Sequence, residues 1–85
     1  MTDRDYNMVV TIDDWQMLVN KPVFTSDGMD VGVVSQIQPE KLIVTYGPVT
    51  VDKYLIPKSS ISTIENGVVY LNETGNFVKR NYKFE

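Results

Sequence analysis

The clearest local signal in this chain of 85 residues is the stretch ISTIENGVVYL, from Ile61 to Leu71. Asn66-Gly67 in its middle favours a two-residue hairpin turn, because a type I′ turn needs positive φ at both central positions and these two residue types tolerate it. The flanking residues are mostly β-branched or aromatic, which suits a pleated and half-buried strand. We therefore predict a hairpin with strands over residues 61–64 and 68–71.

Similar signals continue toward the N-terminus. Val, Ile and Thr make up 26 of the 85 residues, and four further strands are predicted over residues 22–25, 30–37, 41–46 and 53–56. Short strands separated by turn residues at this spacing are typical of a small sandwich or barrel. The sequence thus predicts an all-β domain with these side chains in its interior: Val23, Val31, Val33, Leu42, Val44, Ile56, Ile61, Ile64, Val69 and Leu71.

Three further residues mark a turn, an irregularity and an end of the predicted strands. Gly28, in the Asp27-Gly28 turn, supplies a backbone angle that other residues adopt at a cost. Gly32 lies inside the second strand, where glycine usually marks a bulge or a close backbone approach. Pro57 is predicted to end the fourth strand and to prevent its extension as an open edge.

The two ends of the chain carry weaker signals. Residues 1–10 are predicted to be a flexible leader, and a single helical turn is expected over residues 13–19. Trp15 in that turn is interpreted as a plug at one end of the barrel, with an exposed partner-binding anchor as the alternative. Beyond the last strand, one amphipathic turn is expected from Thr74 onward with Phe77 pointing inward.

The composition disfavours an enzyme. The chain has no histidine and no cysteine, so the commonest general base, the commonest transition-metal ligand and the thiolate nucleophile are missing. The Lys58-Ser59 pair lacks a positioned base, and Asp27 to Asp30 lacks the alternating oxygen ligands of a calcium loop. We predict no catalytic residue, no cofactor and no metal.

The charge pattern disfavours nucleic acid as a direct partner. Eleven acidic residues outnumber eight basic ones, whereas nucleic-acid binders concentrate cations on one face. Lys79, Arg80 and Lys83 form a small cluster, interpreted as a solvated tail, with contact to RNA or a membrane surface as the alternative. The apolar runs are too short for membrane insertion, and the polar start of the chain is unlike a signal peptide. A cytoplasmic protein is expected.

Four segments together resemble the PRC-barrel domain. They are LVNKPVFTSDG at Leu18–Gly28, VGVV at Val31–Val34, YLIPKSSI at Tyr54–Ile61 and NGVVYL at Asn66–Leu71. The family has an apolar residue, a strand entry, an Asp-Gly hairpin and a "vG.V" strand in its opening half, and "y.IP.s.I", a turn and "V.L" in its closing half. The similarity covers residues 11–72, and Asn20 stands where the family more often has glycine.

The resemblance implies a fold and a mode of action. It implies a six-stranded β-barrel over residues 11–72, followed by a C-terminal extension over residues 73–85. Members similar to this chain mediate protein contacts, as in the photosynthetic reaction-centre H subunit and the ribosome maturation factor RimM. Short stand-alone archaeal members resemble cell-division adaptors that dock on SepF, the membrane anchor of FtsZ, and often form dimers.

The expected function is therefore a non-catalytic adaptor that binds proteins. Homodimerisation and a role in archaeal cell division are expected, with a RimM-like accessory role in ribosome maturation as the alternative. The loop at residues 47–52 is the leading contact candidate, with edge-strand pairing as its mode; scattered surface tyrosines are the alternative interpretation. The interface residues predicted are Ile43, Tyr46, Val49, Val51, Tyr54 and Tyr70.

Overall fold

Six strands and three short helical segments are seen in the computed structural model, which describes residues 15–49 and 51–84. In chain order the elements are a 3-10 turn at Trp15–Leu18, β1 at Pro22–Phe24, β2 at Asp30–Ile37, β3 at Lys41–Tyr46, β4 at Asp52–Pro57, a 3-10 turn at Lys58–Ser60, β5 at Ile61–Glu65, β6 at Val68–Leu71 and helix α1 at Gly75–Asn81. The predicted all-β class and the helical turn before the first strand are confirmed. β2, β3 and β6 have the predicted bounds, β1 and β5 differ by one residue at one end, and β4 is one residue longer at each end.

The strands form one mixed sheet in the order β4-β3-β2-β1-β6-β5, with β1 and β6 parallel and the other neighbours antiparallel. Within the described residues no ladder joins β4 to β5, so the sheet is open and the predicted closed barrel is wrong. The sheet stays open because the edge of β4 that faces away from β3 is already bonded. There the Leu55 amide donates to the Tyr82 carbonyl (2.8 Å) and the Phe84 amide donates to the Lys53 carbonyl (2.9 Å). The C-terminal segment thus occupies backbone groups that a closing ladder would use.

The core is formed mainly by inward-facing strand residues. The buried apolar side chains are Leu18, Val23, Val31, Val34, Leu42, Val44, Tyr54, Ile56, Ile61, Val69, Leu71 and Val78. Each aliphatic side chain removed from water in this way contributes about 1.5–3 kcal/mol. All of the predicted core residues are in this group except Ile64, which is half-buried and packs against it, and Val33.

Val33 is 38% exposed, so its predicted core position is wrong. Val23 pairs with Gly32 and Phe24 pairs with Asp30, which leaves Val31 as an extra residue in β2. An extra residue shifts the alternation of side chains between the two faces. As a result Val31 is buried, while Val33 points to solvent.

The turn, the close approach and the strand end predicted at these residues agree with the observed backbone. Asn66 and Gly67 both have positive φ, 53° and 77°, as a type I′ turn requires,. Gly28 has a φ of 83° in the first turn. A Cβ on Gly32 would lie 2.0 Å from the Thr45 carbonyl oxygen, which confirms the close backbone approach. β4 ends at Pro57.

Helix α1 places the C-terminal segment in the same core as the sheet. Thr74 caps the helix by accepting a hydrogen bond from the Phe77 amide (3.2 Å). Val78 is fully buried, whereas Phe77 is 43% exposed, so the predicted inward position of Phe77 is wrong. Gly75, Val78 and Tyr82 share one helical face at spacings of three and four residues, and that face packs on the sheet,.

Trp15 packs half-buried against the core, and the Lys58 ammonium lies 4.2 Å from its ring centroid. This placement agrees with the predicted plug more than with an exposed anchor. The predicted leader over residues 1–10 lies outside the described residues. No helix in the described part of the chain has the length and apolar character needed to cross a membrane.

A hydrogen-bonded cluster at the β1–β2 turn ties α1 to the sheet. The Asp27 carboxylate accepts hydrogen bonds from the Thr25 hydroxyl and from the Gly75 amide (3.1 Å). The Ser26 amide donates to the Glu73 carbonyl nearby (2.8 Å). Since the Thr25 hydroxyl, and then the Gly75 amide, stabilise the ionised carboxylate, the pKa of Asp27 is held below its ordinary 3.8,.

We expect Asp27→Asn to lower the free energy of unfolding at neutral pH, because the amide oxygen is a weaker acceptor for the Thr25 and Gly75 donors. The folded-state pKa is depressed, so the stabilisation by ionised Asp27 is complete above 3.8 and is lost as the pH falls through the folded-state value,. Urea unfolding should therefore give a variant difference that shrinks in acid. Glu40→Gln, at an exposed carboxylate, is the control; a difference for Asp27→Asn that is equally large in strong acid would contradict this account.

Candidate interaction surface

Three of the predicted interface residues meet at the turn between β3 and β4. Tyr46 and Val51 are exposed, and Val49 is 90% exposed. Tyr46 pairs with Asp52 across the last position of the β3–β4 ladder, so these side chains belong to one end of the hairpin. We call Tyr46, Val49 and Val51 the hairpin patch. A valine this exposed contributes nothing to the core of its own chain, and burial against a partner would contribute about 1.5–3 kcal/mol.

Ile43 lies apart from the hairpin patch. It is half-buried in the middle of β3, where it pairs with Leu55 on β4 and with Gln36 on β2. Its two neighbours on β3, Leu42 and Val44, are fully buried, so alternation places Ile43 on the outer face of the sheet,. Ile43 is thus on a broad sheet face rather than at a loop.

Tyr70 lies on β6, three strands away from β3 in the sheet. Its ring stacks on that of Phe24, with centroids 6.3 Å apart and planes 27° apart. The two residues pair across the parallel β1–β6 ladder, and both are half-buried. β2 and β1 separate Tyr70 from Ile43, which lies on β3. The structure therefore does not join Tyr70 to the hairpin patch through neighbouring strands.

Tyr54 is a predicted interface residue, but its side chain is buried in the core. It is only 2% exposed and pairs with Val44, which is also buried. Tyr54 and Ile56 alternate inward on β4, and Tyr82 of the C-terminal segment packs against the same cluster. Tyr54 is therefore unavailable for a flat contact with a partner, and the prediction is corrected for this residue.

A cleft of about 290 Å³ opens beside the hairpin patch, and sequence reasoning missed it. Its lining residues are Met29, Asp30, Tyr46, Asp52, Tyr54 and Lys79. They come from the β1–β2 turn, the three strands β2, β3 and β4, and helix α1, so no local pattern could have indicated the cleft. Burial, and then the charge of Asp52, raise the pKa of Tyr54 above its ordinary 10.0,.

The basic and aromatic C-terminal segment borders the same region. The Lys83 ammonium lies 3.4 Å from the Asp52 carboxylate. Phe84 is exposed and its amide is bonded to the Lys53 carbonyl. Phe77 stands edge-on to Tyr82 with ring centroids 5.6 Å apart. The segment interpreted as a solvated tail is thus attached to β4 along its backbone while some of its rings face solvent.

The Lys58-Ser59-Ser60 stretch has structural contacts. The Lys58 ammonium donates to the Pro39 carbonyl (3.0 Å). The Ser60 hydroxyl donates to Glu73 Oε2 and is 3.1 Å from the Tyr82 hydroxyl, while the buried Glu73 Oε1 has no partner within the described residues. No group of three or more metal-ligating side chains occurs in the described part of the chain.

Comparison with known proteins adds no relatives. No protein-family model matches the sequence, and no curated protein matches it. The resemblance to the PRC-barrel domain therefore stays a prediction. The fold itself establishes a small β-rich domain with one open sheet.

Proposed function

We propose that this chain is a non-catalytic adaptor of PRC-barrel type that binds protein partners and forms a homodimer. The observation that carries the proposal is the hairpin patch, in which Val49 is 90% exposed next to the exposed Tyr46 and Val51. Aromatic side chains are enriched at protein interfaces, and neighbouring exposed apolar groups favour association. Phe84, exposed and attached to the adjoining strand, enlarges this apolar surface.

The contact mode follows from which strand edges are occupied. β4 is bonded along residues 53–55 to the C-terminal segment, so a partner strand does not pair there while that segment is in place. The side chains of the hairpin patch are therefore the contact on this side of the molecule. Within the described residues β5 pairs with β6 alone, which leaves its outer edge as a second place for a copy of the chain,.

The pathway in this proposal comes from the family resemblance. Archaeal cell division, with SepF and FtsZ as the connected machinery, is the assignment, and the alternative is a RimM-like contact with a ribosomal protein. Affinity capture from native extract separates the two, because division proteins or ribosomal proteins are retained. A turnover that is lost in Lys58 or Ser59 variants would overturn the non-catalytic part.

We expect Val49→Asp to weaken the homodimer at least about tenfold, because a charge replaces an apolar group worth roughly 1.5–3 kcal/mol on burial. Sedimentation equilibrium over the micromolar range measures this. Ser59→Asp adds the same charge at another exposed position and should leave the dimer unchanged. A wild-type chain that stays monomeric at high micromolar concentration, or a dimer indifferent to Val49→Asp, would refute self-association through the hairpin patch.

A further inference from the structure

The last described residues run along the outer edge of β4 as a short antiparallel strand. We call these residues, Tyr82–Phe84, the strap. Its middle residue, Lys83, forms an isolated antiparallel bridge with Tyr54. The backbone hydrogen bonds on either side of this bridge use the Leu55 amide and the Lys53 carbonyl of β4. This edge of β4 thus accepts an antiparallel strand in a defined register.

The strap is held at the surface, unlike the helix before it. Val78 of α1 is fully buried, and the half-buried Tyr82 ring packs against the core. Beyond that ring, the side chains of Lys83 and Phe84 are exposed. The ion pair between Lys83 and Asp52 is also open to solvent, and exposed ion pairs contribute little to stability,. Local opening of the strap is therefore compatible with a helix that stays docked.

A single backbone rotation is enough to release the strap. Tyr82, the residue after α1, has a φ of -114° and a ψ of -12°. At this φ the extended region, with ψ between about +100° and +180°, is also sterically allowed. Rotation of ψ at Tyr82 turns its carbonyl away from the Leu55 amide and carries Lys83 and Phe84 off β4. The Tyr82 ring keeps its 3.1 Å contact with the Ser60 hydroxyl, because it lies on the fixed side of the rotating bond.

The edge that the strap leaves is complementary to itself. Two strands related by a two-fold axis perpendicular to the sheet run antiparallel, which is also the direction of the strap,. If Tyr54 faces Tyr54 of a second copy, the Leu55 amide of each copy reaches the Lys53 carbonyl of the other. These are the same two β4 groups that bond to the strap. A second copy of β4 can therefore replace both strap bonds.

We propose that the strap is an autoinhibitory segment that keeps β4 from pairing with β4 of a second copy of this chain. While the strap is bonded, the side chains of the hairpin patch remain the contact on this side of the molecule. When it is released, two sheets join through β4 into one continuous sheet. Folded proteins commonly cover a sheet edge with another segment to avoid such pairing. The inference goes beyond the proposed adaptor function, because this second mode of association does not use Val49.

Two variants release the strap, and each has a matched control. All are made in the Val49→Asp background, which weakens association through the hairpin patch. Phe84→Pro deletes the amide that donates to the Lys53 carbonyl, whereas Phe84→Ala keeps it,. Lys83→Glu puts a like charge beside Asp52, whereas Lys41→Glu makes the same charge change at an exposed residue of β3.

Amide hydrogen exchange and sedimentation equilibrium measure release and pairing separately. In dilute solution, exchange at the Leu55 amide should be about threefold to tenfold faster in the two strap variants, as expected for a weakened hydrogen bond. At high micromolar concentration these variants should form dimers where the two controls are monomeric. A mixed sample of isotope-labelled and unlabelled chains should show a nuclear Overhauser effect between the Tyr54 Hα atoms of the two copies, whose Cα atoms would lie about 4.5 Å apart.

Several results would overturn the proposal. Faster exchange at Leu55 without dimers would show that the uncovered edge does not pair, and unchanged exchange in both strap variants would show that the strap does not cover it. Dimers without the Tyr54 contact would place the interface elsewhere. Assemblies larger than dimers would indicate head-to-tail pairing of β4 with β5, which does not close. A monomeric wild-type chain would refute the hairpin-patch dimer alone, because the strap variants would still associate.

Discussion

Replacing Gly32 by alanine should destabilise the protein by about 3 kcal/mol or more, since it adds both strain and overpacking. A Cβ at this position would lie 2.0 Å from the Thr45 carbonyl oxygen, 2.6 Å from its carbon and 3.0 Å from the Tyr46 nitrogen. These are backbone atoms of β3, so they cannot rotate away as a flexible side chain would. The φ of 117° at Gly32 also disfavours any residue with a Cβ,.

Gly28→Ala is the matched control for this prediction. Gly28 also has a positive φ, 83°, but a Cβ there would meet nothing within 4 Å. The expected cost is therefore the conformational term alone, about 1–2 kcal/mol. Urea unfolding followed by circular dichroism measures both variants. Equal losses in the two variants would show that the approach of β2 to β3 at Gly32 does not limit stability.

Val78→Asp should lower the free energy of unfolding by more than about 3 kcal/mol, as Gly32→Ala does, because it buries a charge that has no partner. Val78 is fully buried and belongs to the same apolar cluster as the sheet residues. Losing its contact would undock α1 and with it the Tyr82 carbonyl that is bonded to Leu55. Urea unfolding and amide hydrogen exchange at Leu55 together measure stability and docking.

Phe77→Asp, one position earlier, is the control for Val78→Asp. Phe77 is 43% exposed, and its described ring contact is the edge-on approach to Tyr82. Such a contact is worth about 0.5–1.5 kcal/mol, so the expected loss is of that size. A larger loss from Phe77→Asp than from Val78→Asp would mean that the helix presents Phe77 to the core.

The strands were predictable because their signals are local. In the stretch Lys41 to Tyr46 the apolar residues at 42, 44 and 46 share one face of the predicted strand, and β3 has these bounds in the structure,. Asn66-Gly67 specifies its turn through the backbone angles that the two residues tolerate. Glycine at residue 32 likewise predicts a bulge, because it tolerates backbone angles that other residues avoid, and the β1–β2 register shifts beside it,.

The interface prediction was less successful because exposure depends on the whole fold. Val49 and Val51 are exposed at a loop, as expected for residues without a core position. The residue type of Tyr54 predicts a place among them, yet its side chain points inward from β4, and Tyr82 and Phe84 are bonded to the adjoining edge of that strand. Val33 was predicted to be buried and is exposed, because the extra residue in β2 changes the face of the sheet on which Val33 lies.

Strand positions and tight turns follow from short segments of this chain, since steric limits and side-chain alternation act over a few residues. The close approach that requires glycine at residue 32 is made by Thr45 on the neighbouring strand. The open sheet, the buried face of α1 and the cleft under Asp30 and Asp52 do not follow from any segment. Each depends on which distant residues meet: the C-terminal segment takes the edge of β4, and five elements converge on the cleft. Such long-range pairings arise from the free energy of the complete packing arrangement, to which local patterns contribute only in part.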